Sequence, residues 1–140
     1  MQRLFGTDGV RGKAGEHPLD VPTVRRLGGA IVRALRHVDE PGAAHPEALR
    51  FLAGRDTRES GDWIERELAF GMRSQGGVLT SAGVIPTPAV AYLTPRMGYT
   101  AGAVISASHN PFEDNGIKVF SGAGEKFTET LERHVESIMA

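Results

Sequence analysis

Apolar residues in this chain recur in two ways, and the alternation between them predicts its elements. Val24, Leu27, Ile31, Val32 and Leu35 fall at helical intervals, so a helix is expected over 21–37. Asp20 precedes it as an N-cap and Pro22 sits in its first turn. Arg25, Arg26, Arg33 and Arg36 fall mostly on its outer side. Trp63, Ile64, Leu68, Gly71 and Met72 predict a second helix, opened by Ser60 or Gly61 and stopped by Gly76-Gly77. A short helix is expected over Ala89–Leu93 with Pro88 near its start. A last helix is expected over 126–138, with Phe127, Leu131, Val135 and Ile138 on one face. Between the helices lie short apolar runs: Leu49–Gly54, Val78–Thr80, Tyr99–Ser106 and Gly116–Phe120. These read as strands. Ala103-Val104-Ile105 is apolar without alternation, as a strand buried on both faces should be. The glycine-rich segment 3–15 predicts extended chain or a hairpin. Residues 39–47, with Pro41, Gly42 and Pro46, read as an exposed connector and the best place for a tolerated insertion. Pro86 and Pro88 stiffen the loop from Gly83.

Helix and strand thus alternate, which predicts an α/β fold. The expected form has three layers: a mixed, mostly parallel sheet with helices on both faces, and residues 1–140 as one domain. Ligands of such sheets sit beyond the carboxyl ends of the strands. Two polar clusters fall there, Arg55-Asp56 and Ser108-His109.

Composition narrows the classes. A net charge of −1 over 140 residues gives no global field for nucleic acid or an anionic membrane. No cysteine is present, so disulfides, thiolate chemistry and Cys-bound zinc are excluded. The first residues hold no apolar signal core, and no apolar stretch is long enough to span a bilayer. A cytoplasmic setting is the expectation. The 18 glycines cluster at Gly6–Gly15, Gly76-Gly77 and Gly116–Gly124, which points to loops of defined shape.

Several familiar motifs fail. A P-loop would need glycine at position 7 and a hydroxyl residue after Lys13, where Thr7 and Ala14 stand. Gly122-x-Gly124 lacks the third glycine of a dinucleotide fingerprint. His17, His37, His45, His109 and His134 show no paired metal-ligand spacing. No Gly-x-Ser-x-Gly surrounds a serine.

One stretch carries chemistry: Ser106-Ala107-Ser108-His109-Asn110-Pro111, continued by Asp114-Asn115-Gly116-Ile117-Lys118. Ser108 lies just past a buried strand, so its hydroxyl should be exposed and fixed. Pro111 stiffens the exit. The chain then bends back so that Lys118 returns near Ser108, where it would neutralise a phosphoryl group or move a proton. Spacing does not choose between Ser106 and Ser108, and a polar turn with a surface lysine is the plainer alternative.

These residues resemble the phosphoserine loop of the α-D-phosphohexomutases. Phe5-Gly6-Thr7-Asp8-Gly9-Val10-Arg11-Gly12 resembles the N-terminal signature of the branch that acts on glucosamine phosphates. Gly54-Arg55-Asp56-Thr57-Arg58-x-Ser60-Gly61 and Pro86-Thr87-Pro88-Ala89 are similar to further family motifs, in family order. The resemblance implies that Ser108, directly before His-Asn-Pro, carries the phosphate. It implies transfer to glucosamine 6-phosphate, a 1,6-bisphosphate, and return of the other phosphate to leave glucosamine 1-phosphate for UDP-N-acetylglucosamine supply. Mg2+ is implied beside the phosphoserine, with Ser108 a ligand through its phosphate, and glucose- or glucosamine-1,6-bisphosphate as activator. Lys118 is implied as the proton-transfer and electrostatic residue, supported by His109 and Arg11. Arg11 has a second reading as an ion-pair partner of Asp8. Thr7, Asp8, Asn110 and Asn115 are implied in phosphate binding or loop support, and Arg55 and Asp56 in holding the loop. Branches acting on mannose or glucose phosphates, and a non-catalytic domain binding a phosphosugar or a protein partner, are the alternatives.

The chain departs from the family in length. The family's acidic magnesium loop, sugar-specificity loop and final phosphate-binding loop do not occur in it. The last helix is complete and amphipathic, so its end reads as a domain boundary. The chain alone is therefore expected to be catalytically incompetent. It is also expected to leave exposed a surface that the missing domains would cover, inviting self-association.

Overall fold

The computed structural model describes residues 3–38 and 49–140. The expected connector at 39–47 lies outside the described residues. Among these the chain forms β1 (Val10–Lys13), α1 (Val21–Val38), β2 (Leu49–Arg55), α2 (Gly61–Ser74), β3 (Gly77–Val84), α3 (Thr87–Arg96), β4 (Ala101–Ile105), β5 (Asp114–Ser121) and α4 (Glu129–Met139).

Local chemistry sets several of these limits. Asp20 caps α1 as its position predicted: Oδ1 accepts the Thr23 N–H at 2.9 Å and Oδ2 accepts the Thr23 hydroxyl at 3.0 Å. Thr128 caps α4 by accepting the Leu131 N–H, so that helix begins at Glu129 rather than near Lys126. Helix α3 is longer than expected: Pro88 falls in its first turn, where a missing N–H costs little, and the helix continues through Pro95 to Arg96.

The strands lie in the order β1-β5-β4-β2-β3. β3, β2 and β4 run parallel, while β4, β5 and β1 pair antiparallel. The sheet is mixed and mostly parallel, as expected: β1, β4, β2 and β3 run the same way and β5 alone runs against them. The reason for the reversal at β5 is connection length. Only residues 106–113 separate β4 from β5, too few for the crossover that a parallel pair needs, so β5 doubles straight back.

β4 is central and every one of its residues is buried, in keeping with its unbroken apolar run. On one face Phe51, Ala103, Ile105 and Ile117 pack with Leu27, Ile31, Leu68 and Val135, which places α1, α2 and α4 there. On the other face Leu52 and Val104 pack with Val90 of α3. The three expected layers are present, with α3 alone on its side. Gly102 lets α3 sit close, since a Cβ there would lie 2.5 Å from Thr94 Oγ1. Helices α1 and α2 also touch backbone to backbone: a Cβ on Gly71 would lie 1.9 Å from the Arg25 carbonyl oxygen.

Candidate active site

The site is built at the carboxyl ends of β4 and β2, side by side in the sheet. The Asp56 N–H donates to the Ile105 carbonyl at 3.1 Å, so the two strands leave the sheet together. Ser106 is buried, and its hydroxyl donates to Asp56 Oδ2 at 2.8 Å while accepting the Ser108 N–H at 3.1 Å. The Ser108 hydroxyl is exposed, and Ser108 has φ +53°, the one non-glycine residue among those described in the left-handed region. The two serines of the motif therefore have different tasks: one is spent inside the loop, the other is presented to solvent.

Arg58 organises the loop from within. Its side chain is 7% exposed. Asp56 orients it, Oδ2 accepting from Nε at 3.0 Å and Oδ1 from the Arg58 backbone N–H at 3.1 Å. Nη2 donates to the Ser108 carbonyl at 2.8 Å, and Nη1 to the carbonyls of Pro111 at 2.6 Å and Asp114 at 3.1 Å. Both nitrogens reach the Asn110 carbonyl at 3.2 Å. Asn115, wholly buried, ties the far end of the loop to α2: its Nδ2 donates to Ser60 Oγ at 2.9 Å and its Oδ1 accepts the Gly116 N–H. Ser60 thus holds Asn115 instead of capping its own helix.

Asp56, Asn110 and Asn115 therefore lie where a loop-supporting role requires, and His109 is exposed beside Ser108. Arg11 turns to Asn110, donating Nη1 to its Oδ1 at 3.3 Å, and not to Asp8; its Nε is buried without a partner. Arg55 departs from expectation. Following the sheet's alternation, it points away from the loop to α2 and β3, donating to Glu65 at 2.8 Å and Ser81 at 3.4 Å. Burial pushes the Glu65 carboxyl up, although the Ser81 hydroxyl and the Arg55 charge pull it back.

Lys118 is set back from the loop. It pairs across the sheet with Val104, and it follows Ile117, which faces the helix layer of α1, α2 and α4. Its side chain is therefore on the α3 face. Arg11, opposite Gly116, shares that face. Lys118 lines a depression of about 150 Å³ with Thr7, Asp8, Thr87, Lys126 and Glu132. The segment bearing Thr7 and Asp8 is anchored at both sides. Glu136 Oε2 accepts the backbone N–H groups of Leu4 at 2.6 Å and Phe5 at 2.8 Å, and the Lys126 ammonium donates to the Thr7 carbonyl. Gly9 closes the turn with φ +87°, and a Cβ there would lie 2.3 Å from the Ile117 carbonyl oxygen. The predicted residues thus form two neighbouring groups, the Ser108 loop and the Lys118 depression, with Arg11 reaching from the shared sheet face to the loop.

Sequence reasoning passed over Arg58, Ser106 and Thr87 as functional residues. Thr87 had a signal, its place between two prolines in a stiff loop. Arg58 stood within the motif Gly54–Gly61, but its task did not show, because nothing in a sequence marks backbone carbonyls that will converge on one side chain.

Comparison with known proteins agrees with this geometry. The model of the phosphoglucomutase/phosphomannomutase alpha/beta/alpha domain I matches residues 2–140. The phosphoglucosamine mutase of Koribacter versatilis is 51% identical over 98% of this chain and 28% of that protein. That of Deinococcus deserti is 48% identical over 97% of this chain and 29% of its own length. A phosphoglucomutase/phosphomannomutase family protein from Burkholderia thailandensis superposes with a TM-score of 0.79 at 25% identity, covering 99% of this chain and 30% of that one. The chain thus spans less than a third of the relatives it matches. With the family model matched along nearly its whole length, the chain belongs to the phosphoglucomutase/phosphomannomutase family and carries its alpha/beta/alpha domain I.

Proposed function

We propose that this chain is the phosphoryl-carrying domain of a phosphoglucosamine mutase. The observation that carries the reading is Ser108: an exposed hydroxyl on a left-handed residue, at the carboxyl edge of the sheet, on a loop locked from within. Phosphoryl transfer asks a protein mainly for position and for charge. The loop offers the first, and Arg11 and Lys118 on the adjoining face offer the second.

In this reading Ser108 carries the phosphate. The 1-hydroxyl oxygen of glucosamine 6-phosphate attacks the phosphorus as the bond to Ser108 Oγ breaks, giving the 1,6-bisphosphate. The hydroxyl proton passes to a base, for which Lys118 is the candidate. The bisphosphate turns over and the Ser108 hydroxyl oxygen attacks its 6-phosphorus as the bond to the sugar's 6-oxygen breaks; the serine gives up its proton and the 6-oxygen takes one, restoring the phosphoserine and releasing glucosamine 1-phosphate. A 1,6-bisphosphate sugar is accordingly the activator that reloads an empty serine. Mg2+ belongs to the same reading. Among the described residues no three His, Asp or Glu side chains gather to hold a metal ion, so these side chains alone do not make a cation cage. No step above runs through the ion, and this chain's share in holding it would be the phosphate on Ser108. Among the described residues no helix is long and apolar enough to cross a membrane, and we place the enzyme in the cytoplasm.

The test is a chimera in which this chain replaces the matching domain of the Koribacter versatilis relative. It should interconvert the two glucosamine phosphates and carry phosphate on Ser108 by intact mass and peptide mapping. Ser108→Ala should lower turnover by at least about 10³-fold, as removal of a covalent nucleophile does. Turnover that survives Ser108→Ala, or phosphate found on Ser106, would sink the assignment.

A further inference from the structure

We propose that Arg58 is the positioning residue of this site: its buried guanidinium sets the backbone conformation of Ser108 and thereby aims the hydroxyl. The inference about conformation stands on geometry alone; its bearing on catalysis rests on the mutase reading above.

The torsions of a residue are fixed when the peptide planes before and after it are both fixed. At Ser108 both planes are held by one cluster. The preceding plane carries the Ser108 N–H, which donates to Ser106 Oγ, and Ser106 donates in turn to Asp56 Oδ2. The following plane carries the Ser108 carbonyl, which accepts from Arg58 Nη2 at 2.8 Å. Asp56 Oδ2 also receives Arg58 Nε, so the circuit closes on a single carboxylate. A non-glycine residue does not rest at φ +53° unless its surroundings hold it there. This circuit is what holds it.

The guanidinium also explains the shape of the rest of the loop. Carbonyls of Ser108, Asn110, Pro111 and Asp114 all turn inward to one planar cation. The side chains of Ser108, His109, Pro111 and Phe112 stand outward in solvent. With its N–H groups spent on Asp56 and on these carbonyls, Arg58 is not free to bind a phosphate. It acts through the backbone. Lysine cannot replace it, because one ammonium nitrogen cannot span acceptors spread around a fork.

The test reads the conformation directly. In the 140-residue chain, Cα and Cβ NMR shifts should give Ser108 a left-handed signature. Arg58→Met should remove it while β2 and β4 keep their shifts. Arg58→Lys keeps a cation against Asp56 and reads the same point if the methionine variant does not fold; it too should lose the signature. Ser108 remaining left-handed in a folded Arg58 variant would overturn the proposal. In the chimera, Arg58→Lys should lower kcat by about 10²-fold with KM for the phosphosugar unchanged, the mark of a misaimed group. Unchanged kcat would also overturn it. A wild-type chimera without turnover would instead remove the mutase reading, and the NMR comparison would still decide the role of Arg58.

Discussion

At Ser108 the backbone bears a cost that the proposed function would explain. A left-handed serine is worth roughly 1–2 kcal/mol less than a glycine in the same place. Ser108→Gly is therefore expected to raise the stability of the domain by about 1 kcal/mol, read as a higher melting temperature, while removing the hydroxyl proposed to carry the phosphate. A lower melting temperature would mean that the serine is not strained. Lys118→Met, tested in the chimera, should lower kcat by about 10²–10⁴-fold if Lys118 handles the proton. Full turnover would take Lys118 out of the mechanism. The exposed Ser108 and His109 and the half-buried Lys118 stood out as candidates in the chain through their side-chain chemistry, while the choice of Ser108 over Ser106 came from the family resemblance. Arg58 did not stand out, since its partners are backbone carbonyls, and Arg55 was misjudged, since alternation along β2 turns it away from the loop that its neighbour Asp56 holds.

Among the elements, helix α4 and the segment preceding β1 are joined by Glu136. Burial alone would raise the Glu136 carboxyl, but the Phe5 and Leu4 N–H groups and the Arg133 guanidinium outweigh it and hold the group below the usual glutamate range. It stays ionised in the folded state at a pH where an unfolded glutamate has already taken a proton. Its stabilisation is complete above the ordinary glutamate range and is lost as pH falls through the depressed value. The protection of the Leu4 and Phe5 amides, measured against their intrinsic exchange rate at each pH, should therefore fall on acidification before the sheet opens. Glu136→Gln should show that loss of protection at neutral pH, with a loss of about 1.5–3 kcal/mol for charge-assisted hydrogen bonds. Equal exchange in both proteins would break the argument. The α1–α2 contact gives a second case. Gly71→Ala must push the Arg25 carbonyl aside and should cost about 1–3 kcal/mol in denaturant midpoint. The helices themselves were plain from their apolar spacing, and Asp20 from its capping position. The close approach at Gly71 was not, because a glycine in a helical pattern looks the same whether its side is open or filled.

For the whole molecule, the alternation of helix and strand was enough to predict three layers, and the apolar run at β4 enough to predict the centre of the sheet. The return of β5 was legible in the short, proline-stiffened connection after β4, whereas its place between β4 and β1 was not, because strand periodicity says nothing about strand order. Phe70, Tyr92 and Phe112 are 56%, 57% and 60% exposed. Large rings left in water at this level fit a chain that spans less than a third of its relatives. Sedimentation of the purified chain is expected to show self-association that grows with concentration. A strict monomer at high concentration would count against the exposed faces being sticky.

The pairing of β1 has a consequence for the order in which a ribosome would build this domain. The partners of β1 are residues 114–117 of β5, and the N–H groups of Leu4 and Phe5 are taken by residue 136. At roughly 5–20 residues per second, the segment bearing Thr7, Asp8 and Arg11 waits several seconds after its own synthesis for those partners to emerge. The parallel unit β3-β2-β4 waits less, since its last strand ends at residue 105. Nascent chains arrested before residue 114 should already protect β2 from a protease while Phe5 and Arg11 stay open to cleavage nearby, so the strand made first is the last to find its place.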